Sequence, residues 1–345
     1  MFDINKIVRD NIRNLTPYSS ARDEFKGNEG VFLDANENPF NGPYNRYPDP
    51  LQWKVKEKLA SLKGVKPSQI FFGNGSDEAI DTIIRGFCEP HRDNIVSIDP
   101  SYGMYQVCAD INAVEFRKVP LKPGFLLDVE AIRKTVDENT KLIMLCSPNN
   151  PTSNSFDTGE MLSLAEGFNG LLVIDEAYID FSSQPSLVSA LSSYPNLVIF
   201  QTFSKAWGLA GVRMGIAYAS EDIIKIYNRI KYPYNINALT QQVIFDALNE
   251  IEEKNAWVNE ILSQRKNLTK MLNTLPFVEK IYPSDANFIL AQMKDSRKIF
   301  DYLIDKKIIT RDRSKVALCQ GCIRITIGKA DENKVLIEAL KNYKG

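Results

Sequence analysis

The chemistry this chain offers gathers around one lysine. Lys205 stands in Thr202-Phe203-Ser204-Lys205-Ala206-Trp207-Gly208-Leu209-Ala210-Gly211-Val212-Arg213-Met214-Gly215, just after the apolar run Leu197-Val198-Ile199-Phe200. An amine at the end of a buried strand is pushed toward its neutral form by desolvation unless it is paired or covalently used. A neutral amine so placed is a nucleophile toward carbonyl groups. Ser204 and Arg213 offer a hydroxyl and a guanidinium for a phosphate beside it. The bland alternative is a surface lysine over a glycine-rich turn.

Four further windows carry candidate groups. Gly73-Asn74-Gly75-Ser76-Asp77-Glu78-Ala79 leads into a helical pattern with Ile80, Ile83, Ile84 and Phe87. Glycines before a helix start expose backbone N–H groups and the positive end of a dipole, which suits phosphate; a simple turn with an N-cap has the same residues. Ser147-Pro148-Asn149-Asn150-Pro151-Thr152 follows the run ending at Cys146, and its prolines stiffen a loop that fixes an asparagine amide. Asp175-Glu176-Ala177-Tyr178 sets two acids at the end of a buried run, which is costly without a cation or hydrogen bonds. Arg324 alternates with Ile323 and Ile325, so it shares a strand face with Thr326, where it either clamps an anion or faces solvent.

Elements must hold these groups together. Ile95-Val96-Ser97-Ile98, Leu142-Ile143-Met144-Leu145-Cys146, Leu171-Leu172-Val173-Ile174 and Leu197-Val198-Ile199-Phe200 are apolar without alternation, as strands covered on both faces are. Helical patterns over Asp128–Asn139 and Asp157–Phe168 separate them. This βαβα order predicts a mostly parallel sheet flanked by helices, with ligands at the carboxyl ends of its strands. The last third predicts a smaller α+β unit. It has a long helix from about Glu252 to Leu275, a strand at Asn287–Leu290, a helix at Ser296–Lys307, a strand at Ile323–Ile327 and a final helix. The expected organisation is an N-terminal segment 1–35 packed on the smaller unit, a large domain over 36–240 and a small domain over 241–345.

Bulk properties narrow the function classes. The 345 residues carry a formal net charge of −1, so no broad pull toward nucleic acid is expected. No run approaches the roughly 20 apolar residues of a membrane span. The N-terminus lacks the order of a signal peptide, and a cytoplasmic location is the default. Cys88, Cys108, Cys146, Cys319 and Cys322 are an odd, scattered set that reads as free thiols. Cys319 and Cys322 have no further ligands at zinc spacing, so no metal is expected. The only histidine, His91, sits in a loop-like stretch and reads as a surface residue.

The order Asn-Pro, Asp-x-x-Tyr, Ser-Lys, Arg resembles the fold-type I aminotransferases that use pyridoxal 5′-phosphate, and most closely their histidinol-phosphate aminotransferase branch. The resemblance runs nearly the whole chain, through Leu15-Thr16-Pro17-Tyr18, Leu33-Asp34-Ala35-Asn36-Glu37-Asn38-Pro39, Arg46-Tyr47-Pro48-Asp49-Pro50, Gly75-Ser76-Asp77-Glu78, Phe87-Cys88-Glu89-Pro90, Tyr102-Gly103-Met104-Tyr105 and Gly321-Cys322-Ile323-Arg324-Ile325-Thr326.

What the resemblance implies is specific. Lys205 is the catalytic lysine that joins the cofactor covalently, and Asp175 pairs with the ring nitrogen. Asn150 and Tyr178 meet the ring's phenolic oxygen, and Tyr102 stacks on the ring. Gly75, Ser76, Asp77, Ser204 and Arg213 hold the cofactor phosphate, joined by Tyr47 from the neighbouring subunit of a homodimer. Tyr18, Asn36, Arg311 and Arg324 face the substrate. The implied reaction is ping-pong amino transfer between L-histidinol phosphate and 2-oxoglutarate, a step of histidine biosynthesis. A threonine-phosphate decarboxylase or an aromatic aminotransferase shares most of these motifs; a non-catalytic cofactor-binding regulator is a more distant reading. One departure stands out: the family usually has glycine after Asn149-Asn150-Pro151-Thr152, and here it is Ser153. If the backbone needs positive φ, the serine is strained; a tolerated change is expected.

Overall fold

The unbroken apolar runs form the centre of a seven-stranded sheet in the computed structural model, which describes residues 2–18 and 30–344. The strands are β1 (Ile70–Asn74), β2 (Asn94–Asp99), β3 (Glu115–Pro120), β4 (Thr140–Cys146), β5 (Leu171–Asp175), β6 (Leu197–Thr202) and β7 (Met214–Ala219). Their order across the sheet is β1-β7-β6-β5-β4-β2-β3. The pairs from β6 through β3 are parallel, whereas β7 runs antiparallel to both β6 and β1. The expected α/β architecture with a mostly parallel sheet is what the chain forms.

Alternation explains why both faces of these strands are apolar. Ile70, Phe72, Leu172, Ile174, Leu197 and Ile199 face one core, while Phe71, Leu171, Val173, Val198 and Phe200 face the other. The central strands β5 and β6 therefore bury every side chain, alternate residues on opposite sides. Helices cover the two faces: α1 (Asp10–Arg13), α2 (Trp53–Lys63), α3 (Ser76–Phe87), α4 (Met104–Ile111), α5 (Val129–Thr135), α6 (Thr158–Ser163), α7 (Glu221–Ile230) and α8 (Ala238–Ala247).

The second unit is a four-stranded antiparallel sheet, in the order β10 (Arg311–Asp312), β11 (Cys322–Thr326), β9 (Phe288–Met293), β8 (Val278–Ile281). With α9 (Ile251–Leu272), α10 (Ser296–Asp305) and α11 (Ala330–Lys341) it encloses its own core around Leu268, Ile289, Ile299, Ile323 and Leu340. Among the described residues no helix is long and apolar enough to cross a membrane.

Two expectations about organisation are corrected. The N-terminal segment, expected on the smaller unit, lies over residues 2–14 against the large one; residues 19–29 of it fall outside the described residues. Its apolar anchors Ile7 and Val8 join the core that holds Ile80, Ile84 and Tyr227. Arg9 pairs with Glu89 at 3.1 Å, and Arg229 donates to the carbonyls of Ile12 and Arg13 at 3.1 and 2.9 Å. The domain change expected at 241 falls inside α8, whose buried Ile244 still belongs to the large-domain core. The crossing is made by α9: Lys254 near its start pairs with Asp180 at 2.9 Å, and Leu268 and Leu272 near its end sit in the smaller core.

Candidate active site

Strand ends gather the candidate groups at the carboxyl edge of the parallel sheet, where open α/β sheets place their ligands. β5 ends on Asp175, β6 runs into Ser204 and Lys205, β4 into the loop bearing Asn150, and β2 into the turn bearing Tyr102. With Ser76, Asp77, Tyr178 and Arg213 these residues line one recess of about 140 Å³. The alternative of a surface lysine over a turn does not hold, because Lys205 is partly buried in the wall of that recess.

Both acids of the Asp175-Glu176 pair meet donors, as their burial requires. Asp175 Oδ2 accepts from the Tyr105 hydroxyl at 2.7 Å and Oδ1 from the Ala177 N–H at 3.0 Å. Burial raises its pKa to about 6, against the lowering effect of those two bonds. Glu176 turns the other way and accepts from Ser186, Gln201 and the Leu187 N–H. The Lys205 amine is pushed down from the usual lysine range, first by desolvation, then by the positive charge of Arg324. Its Nζ sits 5.6 Å from the centre of the Tyr178 ring.

The glycine window forms a helix start aimed at the recess. α3 begins at Ser76, with Gly75 at φ +79° as its N-cap. A Cβ on Gly75 would collide with the Arg213 guanidinium, and one on Gly215 would run into the backbone of Ser76. The two glycines thus let β7 and Arg213 close around the first N–H groups of α3. Arg213 lies 3.7 Å from Asp77, which also accepts from the Tyr102 hydroxyl at 3.1 Å. Tyr102 meets Tyr105 edge-on, with ring centres 5.5 Å apart.

The second unit reaches the recess through Asn150, one of the residues lining it. Arg324 donates to Asn150 Oδ1 at 2.5 Å, which leaves Asn150 Nδ2 as that side chain's remaining donor. Its guanidinium lies over Phe288, and Phe288 meets Tyr178 edge-on. Arg311 is the direct cross-strand partner of Arg324 in the β10–β11 pair, so the two arginines stand side by side. The period-two reading of Arg324 holds: Ile323 and Ile325 are buried, Thr326 is exposed and Arg324 lies between.

Three substrate- or partner-side candidates are not brought to this recess. Asn36 and Tyr47 line a separate surface recess with Arg46 and Asn237, and Tyr47 stacks on Tyr234 at 4.5 Å. Tyr18 stands exposed at the end of a described segment. His91 is exposed on a turn, and all five cysteines are free and buried.

Sequence reasoning missed Tyr105 as Asp175's partner, and it missed Arg313. Positive charge from Arg311 acts on Arg313, and Arg313 in turn acts on Arg324, while Arg313 Nε is buried without a hydrogen-bond partner among the described residues. The signal was available: Arg313 is two positions from Arg311, just past the end of β10.

Comparison with known proteins agrees with this geometry. Residues 31–340 match the family described as aminotransferase class I and II. A histidinol-phosphate aminotransferase of Parabacteroides distasonis is 56% identical over 344 residues, covering 100% of both chains. One from Bacteroides thetaiotaomicron is 52% identical over 346 residues, again covering 100% of both. The solved histidinol-phosphate aminotransferase of Sinorhizobium meliloti, in complex with pyridoxal-5′-phosphate, superimposes with a TM-score of 0.79 at 25% identity, covering 86% of this chain and 83% of that one.

Proposed function

Because the chain belongs to the class I and II aminotransferases, we propose that it exchanges an amino group between L-histidinol phosphate and 2-oxoglutarate, giving imidazole-acetol phosphate and glutamate in histidine biosynthesis. Its cofactor is pyridoxal 5′-phosphate. The recess suits that group by its own chemistry. One wall carries an amine of lowered pKa, the floor a buried carboxylate held by two donors, and one end a helix start beside a guanidinium. When bound there, the cofactor supplies an electron-withdrawing ring that stabilises charge left on the substrate carbon.

The chain's residues then have separate tasks. Lys205 anchors the cofactor, and its neutral Nζ takes the proton from the substrate carbon bearing nitrogen. Burial and the neighbouring arginine favour that neutral form. Asp175 would meet the ring nitrogen and keep it cationic, Asn150 and the Tyr178 hydroxyl would hold the ring oxygen, and Tyr102 would stack on the ring. Ser76 and Asp77 N–H groups, Gly75, Ser204 and Arg213 hold the phosphate. Arg324 and Arg311 receive the anionic end of each substrate in turn, as a ping-pong cycle on one site demands.

A homodimer belongs to this reading. Val31, Leu33 and Phe40 are each more than three-quarters exposed, an apolar surface that a second copy would cover. Tyr47 then serves the neighbouring copy's phosphate, and Asn36 and Tyr18 take their substrate-side roles in the assembled pair. Free buried thiols fit a reducing cytoplasm.

The observation that carries the reading is the convergence of Lys205, Asp175 and the α3 start in one recess, in a chain whose full-length relatives bear one enzyme name. The test incubates purified protein with L-histidinol phosphate and 2-oxoglutarate and assays glutamate. Faster glutamate release from L-phenylalanine, or CO2 release from O-phospho-L-threonine, would overturn the substrate choice.

A further inference from the structure

Ser153 occupies a place that its residue type makes expensive. Its φ is +67°, the left-handed region where a Cβ is unwelcome, and it is fully buried. A side chain is kept there and used. The hydroxyl lies 2.6 Å from the Thr152 carbonyl and 3.1 Å from the Pro283 carbonyl, with one proton to share between them. The Ser153 N–H closes the asparagine loop by donating to Asn149 at 2.7 Å, and its carbonyl accepts from the Asp285 N–H at 2.7 Å. Two residues on, the Ser155 N–H donates to the Asp285 carboxylate at 3.1 Å.

These bonds join two particular pieces of chain. One is the loop carrying Asn150. The other, residues 283–285, leads into β9, which pairs with β11 so that Leu290 lies opposite Arg324. The asparagine loop meets the second unit again at the recess, where Arg324 of β11 donates to Asn150. The contact at the recess involves side chains that a substrate must engage. The contact at Ser153 does not.

We propose that Ser153 is a positioning residue, a latch between the two units that sets where Arg324 stands relative to Asn150. The left-handed backbone directs the hydroxyl and the carbonyl to the same segment of the second unit. Glycine at this position would relax the backbone and leave the hydroxyl's bond unmade. The retained serine spends backbone strain on alignment of the anion-binding arginine. This inference rests on the reading of Arg324 as the residue that receives substrate anions.

The test compares Ser153→Gly and Ser153→Ala with the wild-type holoenzyme. Loss of one ordinary hydrogen bond corresponds to about a five-fold change. KM for both amino donor and 2-oxoglutarate is expected to rise about that much in both variants, with kcat and the cofactor's absorbance unchanged. Amide exchange at Asp285 is expected to quicken about five-fold, a readout independent of which substrate the enzyme uses. Wild-type KM and wild-type exchange in Ser153→Gly would overturn the latch; that variant removes the strain, so it folds even where the alanine variant does not. If the wild-type enzyme fails on both substrates while exchange still quickens in the variants, the substrate reading falls and the latch stands.

Discussion

Tyr105 donates a 2.7 Å hydrogen bond to Asp175 Oδ2, and both side chains are shut off from solvent. The phenol is the only side chain that the buried carboxylate bonds among the described residues, its other partner being the Ala177 N–H. Burial alone drives Asp175 toward its neutral form, and the phenol opposes it. Tyr105→Phe removes that donor and little volume. The Asp175 pKa should rise above about 6, by roughly one unit or ~1.4 kcal/mol. The acid limb of the kcat–pH profile would move alkaline by the same amount. Superimposable profiles would break the link between this bond and the carboxylate's charge.

Asp175 also sets a pH dependence of stability in the cofactor-free protein. Its folded pKa, raised to about 6 from 3.8, lies above the unfolded value, so the fold binds the extra proton between them. The contribution is present in full below about pH 4 and lost as pH rises through about 6. At 1.36 kcal/mol per unit the stake is on the order of 3 kcal/mol. Buried Glu176 is raised in the same direction. Urea midpoints of wild type and Asp175→Asn should therefore diverge between about pH 4 and pH 7. Parallel curves would show that Asp175 does not titrate in this window.

The parallel core is legible in the sequence because a strand buried on both faces has no polar position to interrupt it. β3 escapes for the opposite reason: it is an edge strand, and Glu115, Phe116, Arg117 and Lys118 are all partly or fully exposed. The reversal of β7 depends on which neighbours it finds, and its small residues say nothing about direction. Lys205, Asp175 and Asn150 stand out in the sequence because strand ends are where chemistry collects, and Arg324 because it alternates with apolar neighbours inside β11. Tyr105 is not, since 70 positions separate it from Asp175 and only the packing of α4 on the sheet joins them. The N-terminal segment misleads because two anchors, Ile7 and Val8, outweigh its polar remainder.

Arg324 and Arg311 stand side by side but differ in burial, and they should differ in effect. Arg324 is partly buried and tied to Asn150; Arg311 is exposed. Arg324→Lys loses the bidentate fork and the Asn150 contact together. KM for 2-oxoglutarate is expected to rise about 10- to 100-fold, the value of a charged hydrogen bond of ~1.5–3 kcal/mol. Arg311→Gln should raise it by less than about five-fold, as solvent screens an exposed charge. Initial-rate kinetics on both variants settle the order, and a larger effect from Arg311 would reverse it.

Lys205→Ala should fold as wild type and lose turnover. The side chain packs little apolar surface, so circular dichroism and the thermal midpoint are expected to change only slightly. Loss of a proton-transferring amine costs about 10²–10⁴ in rate, and loss of covalent attachment adds to it. Borohydride treatment of the wild type should fix the cofactor to Lys205, read by peptide mass. Near-normal turnover in the alanine variant would remove Lys205 from the chemistry.

Gly75→Ala tests the phosphate end without replacing a charged residue. At φ +79° the alanine is strained, and its Cβ enters the space of the Arg213 guanidinium. Arg213 must swing away from the start of α3, taking with it one cation facing the helix dipole. Loss of the Arg213 contact with the phosphate costs about 1.5–3 kcal/mol, so cofactor affinity should fall roughly 10- to 150-fold. Ser76→Ala, which leaves the backbone N–H groups and Arg213 in place, should cost much less. Equilibrium titration with pyridoxal phosphate followed by absorbance separates the two. Equal affinities for the Gly75 variant and wild type would mean that the phosphate is held somewhere other than the N-terminus of α3.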